Sequence, residues 1–162
     1  MSTVYPWLVF AHVGGVVIFV AAHGVSMFSA FSIRGQRDPR AVAVLLTASK
    51  RAVVLAYLGL FLLAVGGVGA AIMAGVIDRL WTLGSIVILV VVMSAMYGMA
   101  TTYYTGLRSL VGDGLEQGGE RSPVVDRAAL DERLDSRRPE LLVVVGGGGL
   151  AILLFLMVFK PG

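Results

Sequence analysis

His12 and His23 are the only imidazoles in the chain, and they lie eleven residues apart inside one long apolar run. An ionisable side chain at membrane depth is costly, and by default it marks function. Eleven residues advance a helix by about 16.5 Å and return it to within roughly 20° of the starting face. The two histidines therefore share a stripe with Gly15, Phe19 and Ser26. A stripe of His, Gly and Ser is expected to face other helices and not lipid. With the run centred near Ile18, His12 lies about 9 Å on one side of the midplane and His23 about 8 Å on the other. Imidazoles so far apart cannot hold the same metal ion. They can anchor one site per leaflet, as in membrane cytochromes that stack two b-type haems.

That haem design normally takes two histidine-bearing helices, and this chain has one. The second axial ligand would then be Met, water, absent, or supplied by another chain. Depth alone pairs Met99 with His23, at about 9 Å from the centre of its own run. Met73 and Met157 fall roughly level with His12, and Tyr57 lies at a depth from which it could hydrogen-bond His23. Met93, Met96 and Met99 form a thioether ladder of the kind that suits Cu(I). Steps of three residues drift by about 60°, however, so all three cannot face one pore. Three roles stand open for His12 and His23: haem ligands, metal or proton handlers, or buried imidazoles that weld helices through hydrogen bonds. Methionine is also common filler for irregular gaps.

These side chains must be positioned by helices that cross a bilayer. The chain has 162 residues, 57% hydrophobic and 14% charged, against roughly 25% charged in a soluble domain. About 20 apolar residues span a membrane, and four stretches qualify: 4–32, 52–77, 80–105 and 141–159. None contains Asp, Glu, Lys or Arg. The first is expected to be retained, because no basic residue precedes it and it exceeds a signal-peptide core of about 7–15 residues. The linkers 33–51 and 106–140 carry eleven of the thirteen basic residues, leaving only Arg79 and Lys160 on the other side. The positive-inside rule then makes both linkers cytoplasmic and puts both termini outside. Tyr5, Trp7 and Trp81 would lie in the outer aromatic belt, Tyr103 and Tyr104 in the inner one. Within the second linker, Ser122-Pro123 opens a short surface helix carrying Ala128, Leu130 and Leu134, which ends before Pro139. That helix is a solvated connector or a docking surface.

Membrane helices associate through small residues. Gly67, Ala71 and Gly75 recur every four residues on the second run, and Ser94, Gly98 and Thr102 on the third. Gly146 to Gly149 follow one another on the fourth. This last run implies a close helix crossing, or room for a flat cofactor or lipid against the backbone.

Several functions are excluded. Without cysteine there is no disulfide, thiolate metal site, iron–sulfur cluster or C-x-x-C-H haem attachment. No basic patch with interleaved aromatics points to nucleic acid. No carboxylate or lysine lies within a span to serve a proton relay or salt-bridged transporter core. H-E-x-x-H, a nucleophile elbow and G-x-G-x-x-G are all lacking, so no complete enzyme site is expected.

The segment Val9-Phe-Ala-His12-Val-Gly-Gly15 resembles the first-helix His-x-x-Gly pattern of the copper-resistance D-like membrane proteins. The layout as a whole is similar to a family of small, uncharacterised four-span bacterial integral membrane proteins. There Ala22-His23-Gly24 is followed by a basic loop, here Arg34-Gly-Gln-Arg37-Asp38-Pro39. The third helix ends in a tyrosine-rich run, here Met96-Tyr97 and Tyr103-Tyr104. The likeness extends to about Gly112 and implies a multi-pass protein of the bacterial inner membrane. The copper-resistance relatives, which have more helices, imply copper uptake, and the wider set of His-bearing few-span proteins implies haem b.

The expectation is an all-α transmembrane four-helix bundle, one membrane domain over 1–162, embedded in lipid and binding no nucleic acid. It would hold b-type haem or serve redox chemistry through His12, His23 and Met99. Alternatively, it is a structural or assembly subunit, paired with another membrane protein or with itself, or a carrier of copper or a small solute through His12 and His23.

Overall fold

The computed structural model describes residues 3–111 and 127–161, and these are almost entirely helical. Their order is α1 (Val4–Arg34), α2 (Pro39–Met73), α3 (Leu80–Val111), the short α4 (Arg127–Leu134) and α5 (Arg138–Phe159). The four long helices each have the length and apolarity to cross a membrane. Where water is absent, backbone polar groups must be satisfied within the segment, which a helix does along its whole length.

The helices run further than the apolar stretches that generate them. α2 begins thirteen residues before the expected span, at Pro39. Asp38 is extended, as the residue before proline must be, and its side chain accepts from the Arg40 N–H at 2.9 Å. Val42, Leu46 and Ser49 of this extension are buried, while Arg40 and Arg51 are exposed. The stretch expected to link α1 and α2 over 33–51 is therefore mostly helix. α3 likewise continues six residues past the expected end, to Val111. At the other end α2 stops earlier than expected. Gly75 takes φ +67°, its N–H meets Ile72 O, and Val76 N–H reaches back to Ala71 O at 2.9 Å. That left-handed closure suits glycine, and Thr82 Oγ1 donates to Val76 O at 2.7 Å to tie the short link onto α3.

α1 and α2 form a tight antiparallel pair. The faces in contact repeat every seven residues, Gly15, Ala22 and Ser29 on α1 against Ala52, Gly59 and Gly66 on α2. A β-carbon on Gly59 would come within 2.6 Å of the Phe19 backbone nitrogen, and one on Gly66 within 2.6 Å of the His12 backbone nitrogen. Small residues let the two backbones touch. The expected stripe Gly67, Ala71 and Gly75 is not this contact: Gly75 forms the turn, and Gly67 lies under the His12 ring. α3 pairs mainly with α5, with Val92 seated against Gly149. Gly147 and Gly148 face open space, as does Gly98, so the Ser94, Gly98 and Thr102 face is exposed.

The two pairs join chiefly at the arginine-rich end. There Ile33, Val42, Leu46, Tyr103, Leu107 and Val111 pack with Leu130 and Leu134 of α4 into one buried cluster. Arg34 pairs with Glu140 at 2.8 Å, and Arg37 with Asp135 at 3.2 Å. α4 is thus docked on the bundle through two of its three expected apolar positions, and Ala128 stays exposed. Its expected start at Ser122-Pro123 lies outside the described residues. Tyr103 is fully buried in this cluster.

Candidate functional site

α1 presents its two histidines to different neighbours. His12 turns onto α2, where Nδ1 lies 2.6 Å from the carbonyl oxygen of Leu63. A carbonyl only accepts, so Nδ1 carries the proton and donates. The ring rests on Gly67, where a β-carbon would stand 2.6 Å from Nδ1. Only glycine leaves space for the imidazole there. His12 therefore fastens α1 to α2.

His23 faces the opening between the two helix pairs. Its ring stacks on Phe19, one turn earlier, with centroids 5.9 Å apart and planes 11° from parallel. Neither ring nitrogen has a hydrogen-bond partner among the described residues. Nε2 points toward α5 at Gly146, 3.1 Å from where a β-carbon would stand. The Met96 thioether converges on the same point, with Sδ at 3.4 Å and Cε at 3.3 Å.

These groups line a crevice of about 500 Å³ with walls from all four long helices. That volume lies within the usual range for small-molecule sites, roughly 300–1,000 Å³. Most of the wall is apolar, including Leu89, Val92, Leu150 and Leu153. Toward the arginine-rich end it turns polar, with Ser26, Ser49, Lys50, Tyr104 and Arg108. The Ser26 hydroxyl is buried without a partner, and the Tyr104 hydroxyl donates to the Ser26 carbonyl at 3.4 Å. Lys50 and Arg108 form no ion pair among the described residues. The crevice is therefore amphipathic along its length, with an imidazole in its apolar part and two cations at one end.

The structure separates the residues that depth arithmetic grouped. Met99 does not line the crevice, whereas Met93 and Met96 do. Depth gives no angle about the helix axis, and three residues rotate the side chain by about 60° off the stripe of Met96. Met73 and Met157 are exposed on the bundle surface, and Tyr57 lines the crevice without bonding His23. Met96 was visible in the sequence as one rung of the thioether ladder and as part of the tyrosine-rich run, neither of which pairs it with His23. Nothing local marked it out, because the contact is made through Gly146 of a distant helix. Among the described residues no three His, Asp or Glu side chains gather.

No family model matches the chain, and neither does any curated protein or solved structure.

Proposed function

We propose that this chain is a multi-pass protein of the bacterial inner membrane that holds a single b-type haem in the crevice, with His23 as an axial ligand. The observation that carries this reading is the free His23 imidazole facing an apolar space walled by four helices. His12, by contrast, is committed to the Leu63 carbonyl of α2.

The donor set and shape fit the group. Nε2 supplies the nitrogen ligand, Gly146 keeps the α5 backbone low beside it, and the apolar walls suit a flat macrocycle. Lys50 and Arg108 suit its two propionates. When bound, the haem would supply one-electron redox chemistry. The chain's own residues would hold it, orient it and exclude water. A layout of two stacked haems receives no support, because the His12 ring is committed to α2. The excess of basic residues in the regions joining α1 to α2 and α3 to α5 supports placing that end in the cytoplasm and both termini outside.

The test is the optical spectrum of protein purified in detergent after expression with adequate haem. A Soret band that is lost in His23→Ala and kept in His12→Ala supports the proposal. Absence of the band, or a band indifferent to His23→Ala, overturns it.

A second reading draws on the three methionines, Met27, Met93 and Met96, that share the crevice with His23. Thioether and imidazole together suit Cu(I). Stoichiometric Cu(I) uptake by haem-free protein, lost in His23→Ala, would favour this carrier role.

A further inference from the structure

We infer, independently of the haem reading, that haem-free protein holds one anionic phospholipid in the crevice, with its phosphate met by Lys50 and Arg108 and an acyl chain along the apolar walls. Both cations line the polar end, and neither forms an ion pair among the described residues. No Asp or Glu stands among the described residues that line the crevice. The Ser26 hydroxyl, buried without a partner, lines the same end and can donate to an anionic oxygen. Two uncompensated cations beside an apolar slot complement an acidic head group on a hydrocarbon tail. Basic pockets between membrane helices bind such head groups.

The crevice also has the length and the opening that a lipid needs. On α3 its wall runs from Leu89 to Arg108, about 28 Å along the axis. The largely apolar part, Leu89 to Ala100, accounts for about 16 Å, close to half of a hydrocarbon core about 30 Å thick. That is the depth an acyl chain of one leaflet reaches from its head group. The side between α2 and α3 is open, because Tyr57 and Tyr97 line the crevice and still remain 51% and 63% exposed. A chain can therefore enter sideways from the bilayer while its head group stays at the arginine-rich end. Other occupants fit less of the site. A neutral amphiphile leaves the two cations unanswered, and a small soluble anion leaves the apolar walls unused. Haem and lipid compete for the same space, so the lipid is what haem displaces.

The experiment is native mass spectrometry of haem-free protein released from detergent, titrated with phosphatidylglycerol or with phosphatidylcholine of the same acyl chains. Wild type is expected to retain one phosphatidylglycerol, several-fold more than phosphatidylcholine. Glycerol phosphate, the anion without the chains, should not be retained. The double variant Lys50→Gln with Arg108→Gln should lose the preference. Arg40→Gln with Arg51→Gln removes the same charge from exposed positions that do not line the crevice, and should keep it. His23→Ala should keep it too. Equal retention of the two lipids by wild type overturns the inference without recourse to any variant. So does equal loss in both double variants, which would mean diffuse attraction to the basic end, or retention of glycerol phosphate as firm as that of the lipid. A missing Soret band with the lipid preference intact sinks the haem reading alone, and a Soret band without the preference sinks the lipid alone.

Discussion

At the scale of single residues, the two histidines show how the partner decides what an imidazole does. His12 and His23 are chemically identical and nearly in line along one helix, yet one is closed by a carbonyl at 2.6 Å and the other faces a crevice. The distinction turns on glycines of other helices, Gly67 beneath His12 and Gly146 before His23. Gly146 offers a direct test. An alanine there would place its methyl 3.1 Å from Nε2 and 3.4 Å from Sδ, tighter than ordinary packing. As a helix residue, alanine is favoured over glycine by about 1 kcal/mol in water, so the fold should not suffer. Gly146→Ala should therefore lower haem content per protein several-fold while the resistance to unfolding in detergent holds or rises. The comparison is made by haem assay and thermal unfolding on the same preparation. A fall in both together would mean that Gly146 serves helix packing and not the site.

At the scale of elements, the α1–α2 pair rests on backbone contact and so tolerates the least. A side chain on Gly59 would meet the Phe19 nitrogen at 2.6 Å and the Gly15 oxygen at 2.9 Å, both main-chain atoms that no rotamer change can move. Gly59→Val should destabilise by about 3 kcal/mol, the upper end of the range typical of overpacking. Gly147→Ala, which meets nothing within 4 Å, should be neutral or mildly stabilising. Denaturant titration followed by circular dichroism would separate the two. The four long helices were legible in the sequence because charge-free apolar runs of this length have one stable form in lipid. The helix ends were less so. The extension of α2 back to Pro39 is an amphipathic stretch outside the apolar run, recognisable from Asp38-Pro39 and the spacing of Val42, Leu46 and Ser49. Which glycines make the interface was not legible. Gly59 and Gly66 on the one hand, and Gly67, Ala71 and Gly75 on the other, are equally small, and only the partner helix chooses between them. The site was half visible for the same reason: His23 stood out by its chemistry, whereas Met96 became its neighbour through α5.

At the scale of the whole molecule, two helix pairs are clasped at one end and part around a crevice, so the clasp sets the width of the site from a distance. Leu134 of α4 is fully buried in the cluster that joins the pairs. Leu134→Ala should cost about 2–5 kcal/mol of local stability, and haem occupancy should drop although no crevice residue changes. Arg37→Ala removes exposed ion pairs to Asp131 and Asp135 and a long exposed hydrogen bond to the Arg34 carbonyl, the ion pairs each worth about 1 kcal/mol or less, and should leave occupancy near wild type. The same clasp gathers the basic residues at one end of the bundle, where the proposed orientation puts the cytoplasm. Because the chain has no cysteine, a single introduced thiol reports its own side of the membrane without background. Asp131→Cys, exposed on α4 at that end, should resist a membrane-impermeant thiol reagent in intact cells and react once the membrane is opened. Thr3→Cys, at the start of α1 on the opposite end, should react in both. The reverse pattern would invert the protein in the membrane, moving the Lys50 and Arg108 end of the crevice to the outer face while leaving the His23–Met96 geometry as it stands.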